Sequence, residues 1–204
     1  MRMNNRILLA SVGLALALVP RLPAQGNTAE LFGGYTYAHV NPEVPLANQN
    51  ANGWVGSAGG YFAKWFGAGA EISAVFGDIP APSGVSSPSL HFKEYSYLAG
   101  PQFRFLDKAR VQSAAKILLG GVFGQVNLDT HTSPAAVQAL ASAGYGGFNQ
   151  TKFAMLVAVP VDVTVSKLIA VRVEPGLYVT DFSKQKQSNF RFSVGPVFRF
   201  GGAH

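Results

Sequence analysis

The chain has 204 residues, of which 48% are hydrophobic, 13% are charged and none is cysteine. A typical chain is roughly 25% charged, and so apolar a composition with this many aromatics excludes a disordered protein. The missing cysteine excludes a disulfide scaffold, thiol chemistry and a Cys-ligated metal. The formal charge of +6 invites a nucleic-acid reading, and its position along the chain decides against one.

Residues 1–24 begin Met-Arg-Met-Asn-Asn-Arg, continue through the apolar run Ile7 to Val19 and end with Pro20 to Ala24. A basic head, a short apolar core and a small residue before the cut make a secretory signal peptide, with cleavage expected after Ala24. The run is shorter than the about 20 residues that a helix needs to span a bilayer. Removal takes away Arg2, Arg6 and Arg21, lowers the charge to +3 and leaves 180 residues, 25–204, as one domain. No basic stripe then remains to neutralise phosphates, so no nucleic-acid partner is expected.

Along the mature chain, period-two alternation replaces helical periodicity. It predicts eight strands, at about 30–40, 53–63, 66–78, 91–106, 110–127, 151–165, 168–182 and 189–200. The faces of the second stretch are mixed and its parity stays open. In the third, Phe66, Ala68, Ala70, Ile72, Ala74 and Phe76 oppose Gly67, Gly69, Glu71, Ser73, Val75 and Gly77. In the sixth, Phe153, Met155, Val157, Val159, Val161 and Val163 oppose Ala154, Ala158, Asp162 and Thr164. The seventh sets Val171, Val173, Leu177 and Val179 against Arg172, Glu174 and Gly176. The last sets Phe190, Phe192, Val194, Pro196, Phe198 and Phe200 against Arg191, Ser193, Gly195, Val197 and Arg199. One face is bulky and apolar, while the charged face is also rich in Gly, Ala and Ser. That suits a crowded lumen and an outer wall in lipid.

The links alternate. Asn41 to Asn52, Ile79 to Leu90 and Leu128 to Gln150 are long, and Ser183 to Ser188 is of medium length. Lys64-Trp65, Asp107-Lys108-Ala109 and Ser166-Lys167 are short. An up-and-down outer-membrane barrel has this layout, with tight periplasmic turns and longer outer loops. The fold expected is all-β, an eight-stranded antiparallel up-and-down transmembrane β-barrel, closed so that every backbone group in lipid is paired. Aromatics near the strand ends fit two girdles: Trp65, Phe66, Phe103, Phe105, Phe198 and Phe200 by the short turns, and Tyr37, Phe76, Tyr95, Phe123 and Phe153 toward the long loops. Pro101, Pro160, Pro175 and Pro196 lie inside expected strands and cannot donate to a ladder, so bulges or breaks are expected there. Tyr95 to Phe105 and Phe190 to Phe200 share the core G-P-x-F-R-F. Duplication of a four-stranded unit and equal environments at the periplasmic rim both explain it.

Ser193-Val194-Gly195-Pro196-Val197-Phe198-Arg199-Phe200 resembles the C-terminal assembly signal of bacterial outer-membrane barrels, with Ser193, Gly195, Phe198 and Phe200 at the matching positions. The resemblance implies recognition by the barrel assembly machinery, although Gly201 to His204 follow the aromatic that usually ends the signal. With the signal peptide and the eight strands, the mature chain resembles the small barrels of the OmpA and OmpX type. That implies a monomer in the outer membrane of a Gram-negative-type bacterium. The peptidoglycan-binding domain of full-length OmpA-like proteins is expected to be absent.

The expected lumen face carries Glu30, Glu71, Glu94, Asp162 and Glu174 against Arg104, Lys116, Arg172, Arg191 and Arg199. Eight strands enclose room for side chains alone, and buried charges must be paired. An internal ion-pair network follows, read as a structural plug or as the gate of a narrow ion path. No cofactor, metal or catalytic group is expected. His131-Thr132-Ser133 superficially resembles the His-x-Ser pair of outer-membrane lipid A deacylases, but Ala135 to Gln150 holds no carboxylate to orient the histidine. His39, His91 and His131 have no ligand spacing. Ser133 to Ala143 predicts a short helix in the longest loop, with Ser133 as N-cap and Pro134 in the first turn. Three functions stand at this point: an outer-membrane barrel with a structural or surface-interaction role, a narrow porin-like channel for ions or small solutes, and a soluble periplasmic barrel that binds an apolar ligand.

Overall fold

The computed structural model describes residues 28–40, 49–79, 90–127, 149–181 and 187–201, together with residues 134 and 138. The expected signal peptide, His131 and His204 lie outside the described residues, and of the expected loop helix only Pro134 and Gln138 are described, both helical. Eight strands follow one another: β1 (Thr28–Val40), β2 (Gln49–Tyr61), β3 (Phe66–Ile79), β4 (Leu90–Asp107), β5 (Val111–Asn127), β6 in two parts (Asn149–Ala158 and Val161–Thr164), β7 (Ile169–Thr180) and β8 (Gln187–Phe200). Each pairs antiparallel with its sequence neighbours. β1 closes on β8, with Ala29 opposite Phe200 and His39 opposite Phe190. The sheet is thus an up-and-down barrel without a free edge, which removes the unpaired rows that an open sheet would expose.

Several boundaries differ from the expected ones for local reasons. β2 begins at Gln49 rather than 53. Asn50 and Asn52, read from sequence as link, accept hydrogen bonds from Tyr37 and Tyr35 of β1 and so extend the ladder. Two of the three tight turns span more than the two residues expected, while the third keeps its three residues, shifted by one to 108–110. The amides of Phe62 and Ala63 both donate to the Phe66 carbonyl, at 3.0 and 3.1 Å, and those of Val165 and Ser166 to the Ile169 carbonyl, at 3.0 and 2.9 Å. Lys64-Trp65 and Ser166-Lys167 lie inside these four-residue turns.

The prolines behave differently from one another. The register shift in β4 falls between Arg104 and Leu106, not at a proline. Pro101, Pro175 and Pro196 stay within their strands. Pro160 does interrupt β6, yet the register against β5 is the same on both sides of the break. Its carbonyl still accepts from the Ala114 amide at 3.2 Å, and the Pro175 carbonyl accepts from the Val159 amide at 3.0 Å. Proline removes a donor but keeps its acceptor, so half of each local pairing survives.

The two faces sort as alternation demands. Side chains that point outward are bulky, apolar and accessible, as at Ile72, Phe153, Leu177 and Phe198. β2 joins the scheme with Trp54 outward and Val55 and Tyr61 inward. Inside, Phe32, Val55, Ala170 and Val197 form one apolar cluster, and Leu98, Leu118, Val122, Ala154, Leu156, Ala158 and Tyr178 form another on the wall made by β4 to β7. The charges lie against these clusters, with Arg172 5.3 Å from the centre of the Phe32 ring and Arg191 6.0 Å from that of Tyr178.

Candidate functional site

All ten charged residues expected inside do face the lumen, and nine of them meet partners there in two groups. The first group lies by the short turns. Arg172 of β7 forks onto Asp162, its cross-strand neighbour, with Nε donating to Oδ1 at 2.7 Å and Nη2 to Oδ2 at 2.8 Å. The same Nη2 donates to Oε2 of Glu30 at 2.8 Å. Arg199 donates to Asp162 Oδ2 at 2.7 Å and to the Thr164 hydroxyl at 3.2 Å, while its Nε stands 3.7 Å from Glu30 Oε1, an ion-pair distance rather than a hydrogen bond. Arg104 donates to Glu30 Oε1 at 3.2 Å, lies 3.6 Å from Asp107 and stacks 3.7 Å above the Tyr61 ring. Planar guanidinium groups suit such sharing, because the fork can serve two carboxylates at once and its face can rest on an aromatic ring.

The second group lies deeper along the axis. Lys116 of β5 donates to Glu71 of β3 at 2.8 Å, and its Nζ lies 2.6 Å from Oε1 of Glu174 on β7. Arg191 of β8 donates to the other oxygen of Glu71. Glu71 and Glu174 are each only 2% exposed. Direct hydroxyl pairs, Thr36 to Ser193 at 2.9 Å and Ser73 to Ser96 at 2.6 Å, complete the polar interior. Every one of the eight strands contributes, β2 through Tyr61. Glu94 stands apart: it faces the lumen toward the long links, but none of the ion pairs among the described residues includes it.

Several participants escaped the sequence. Tyr61 sat on the strand whose parity was open. Asp107 was read as part of a link, although it pairs with Arg104 and accepts from Gln112 at 2.6 Å. Gln102, buried above Gly59 and Gly69, was an uncharged residue on a strand searched for charges.

The four residues of the expected assembly signal are placed as alternation places them. Phe198 and Phe200 point outward and are accessible, and Ser193 bonds Thr36 inside. Gly195 sits at the β1–β8 closure, where a Cβ would stand 2.2 Å from the Gly33 carbonyl oxygen. Outside the barrel, His91 pairs with Asp78 and His39 with Asn50, on exposed strand ends facing the long links. Among the described residues no group of three His, Asp or Glu is placed to hold a metal ion.

No family model matches the chain, and no curated protein matches its sequence. Solved structures do match. Neisserial surface protein A superposes with a TM-score of 0.63 at 15% identity, over 86% of this chain and 100% of its own. Ail, the attachment invasion locus protein of Yersinia pestis, gives 0.56 at 14% identity, over 86% of this chain and 100% of its own. The outer membrane protein OprG of Pseudomonas aeruginosa gives 0.53 at 10% identity, over 86% of this chain and 97% of its own. At such identities the likeness is one of fold, and the chain has the closed, antiparallel, eight-stranded fold of small outer-membrane barrels.

Proposed function

We propose that the mature protein, residues 25–204 after removal of the signal peptide 1–24, is an integral outer-membrane barrel. Its lumen is closed by a salt-bridged plug, and its role is structural or one of surface interaction. The observation that carries this reading is the inversion of polarity. Ile72, Phe153 and Phe198 are exposed on the outside at 55%, 54% and 44%, while Glu71, Glu174 and Arg191 are buried inside at 2%, 2% and 3%. In water this arrangement would leave the bulky outer wall uncovered and desolvate the lumen charges. In a bilayer it satisfies both, because lipid covers the outer wall and the paired charges fill a core too narrow for bulk water. The same inversion counts against a soluble barrel with an apolar ligand inside.

Phe198 and Phe200, at the end of the last strand, support recognition by the barrel assembly machinery. The closed sheet leaves no edge for a second copy, which supports a monomer. Ail has been seen with the heparin analogue sucrose octasulfate; in this protein the long links would be the surface offered to external molecules. The test is cell fractionation with heat-modifiable migration in detergent. The folded and boiled forms should migrate differently, and the protein should partition with outer membranes. A chain recovered in the soluble periplasmic fraction would overturn the reading. Sugar-induced swelling of proteoliposomes would overturn the plug and leave a channel.

A further inference from the structure

Two side-chain amides among the described residues each hold a buried atom without a partner, and each lines its own small pocket in the lumen. Gln102 Nε2 has no acceptor among the protein groups, and Gln112 Oε1 has no donor. The first pocket is lined by Gln102 with Glu30, Ser57, Lys116 and Arg172. The second is lined by Gln112 with Glu30, Tyr61, Ser113, Asp162 and Arg172. Each has about 10 Å³ of room for the centre of a water molecule. That is about the least room that holds one water, and a buried water needs two to four polar partners. Both pockets supply them, with an orphaned amide atom, a hydroxyl and charged groups around each.

The room is built by the sequence. Gln102 lies over two glycines of β2 and β3: a Cβ at Gly59 would stand 3.1 Å from its Nε2, and one at Gly69 would stand 3.4 Å from its Oε1. Side chains at those two positions would fill the first pocket. In the second, Ser113 already donates to the Pro160 carbonyl at 3.0 Å, and Gln112 Nε2 is committed to Asp107, so the amide oxygen is left facing the pocket.

We infer that each pocket is a binding site for a single ordered water, one on either side of the Glu30–Arg172 ion pair. The first water accepts from Gln102 and bridges it to the Glu30 or Ser57 oxygen. The second donates to Gln112 and bridges it to the Asp162 carboxylate or the Tyr61 hydroxyl. Glu30 and Arg172 line both pockets and are the partition between them. The charged plug is therefore a hydrated one, completed by solvent at two of the places among the described residues where protein atoms fall short.

Water cross-relaxation in NMR spectra of the folded, isotope-labelled barrel in lipid nanodiscs tests this. The side-chain amide protons of Gln102 and Gln112 should show cross-peaks to long-lived water. The directly bonded hydroxyl pairs Thr36–Ser193 and Ser73–Ser96 should show none. Gly69→Ala, whose new methyl meets Gln102 Oε1 and the Ala58 carbonyl at ordinary contact distance, should abolish the Gln102 signal and keep that of Gln112. Absence of both glutamine signals would overturn the inference, as would a Gln102 signal unchanged in the variant. Equal signals at the hydroxyl pairs would overturn it too, since the lumen would then be uniformly wet.

Discussion

Arg104 and Arg199 meet at one oxygen: Nη2 of the first lies 3.2 Å, and Nε of the second 3.7 Å, from Oε1 of Glu30. They are the equivalent arginines of the two G-P-x-F-R-F copies, half a barrel apart in sequence. The glycines of the copies are equivalent as well. A Cβ at Gly100 would stand 2.1 Å from the Ile117 carbonyl oxygen, and one at Gly195 would stand 2.2 Å from that of Gly33. Each copy brings its strand close to a neighbour and then sends an arginine to the same carboxylate.

Glu30 is therefore the residue that holds most of the group by the short turns together, with three arginines around it. Replacing it with Gln leaves Arg104, Arg172 and Arg199 with fewer carboxylates than guanidinium groups in a buried site. Removing one partner of a buried pair costs about 3–5 kcal/mol. Urea unfolding of Glu30→Gln in bilayers should show a loss of that order. A loss below about 1 kcal/mol would mean that solvent already screens these charges.

Glu71 and Glu94 face the same lumen from adjacent strands but should respond in opposite ways. Glu71 accepts from Lys116 and Arg191, so Glu71→Gln strands two cations and should destabilise by roughly 3 kcal/mol. Glu94 has no ion-pair partner among the described residues, so Glu94→Gln removes a poorly compensated charge and should leave stability unchanged or raise it. Denaturant midpoints of the two variants, measured side by side, check the contrast; equal losses would contradict it.

Much of this architecture was legible because alternation is a strong signal when one face must be apolar. The facings of β3, β6, β7 and β8 follow from Phe, Ile and Val at every second residue, and the ten lumen charges follow from parity alone. β2 hid its parity because Gly53, Gly56, Gly59 and Gly60 put small residues on both faces. Its start was missed because asparagine reads as loop until a tyrosine across the ladder is found for it. The split of the network into two groups was not legible at all. Parity says which side chains enter the lumen, but which ones meet depends on strand stagger, and that appears only in the register of Asp162 with Arg172 and in the reach of Glu71 to Arg191 across the interior.

The seam between β1 and β8 gives a paired test of close packing. Gly195→Ala would drive a methyl to 2.2 Å from the Gly33 carbonyl oxygen and 2.6 Å from Gly34 Cα, backbone atoms that cannot rotate away. Gly33→Ala meets nothing within 4 Å, although it lies on the same seam. Overpacking against backbone costs about 1–3 kcal/mol or more. Refolded Gly195→Ala should therefore show a weakened heat-modifiable band, whereas Gly33→Ala should match the parent. A folded yield equal to the parent's in Gly195→Ala would show that the closure can widen.

The two tryptophans report on the outer wall. Trp54 points outward from the middle of β2, paired with Tyr35 on one side and Ala74 on the other. Trp65 lies in the β2–β3 turn, stacked near Phe103 at 6.3 Å between ring centroids. If the outward face meets lipid, bromine atoms placed deep on the acyl chains should quench Trp54 in a Trp65→Phe variant. They should quench Trp65 less in a Trp54→Phe variant, because a rim aromatic sits at headgroup depth. Aqueous iodide should reverse that order. Strong iodide quenching of Trp54 would place the middle of the wall in water and remove the physical reason for an apolar exterior.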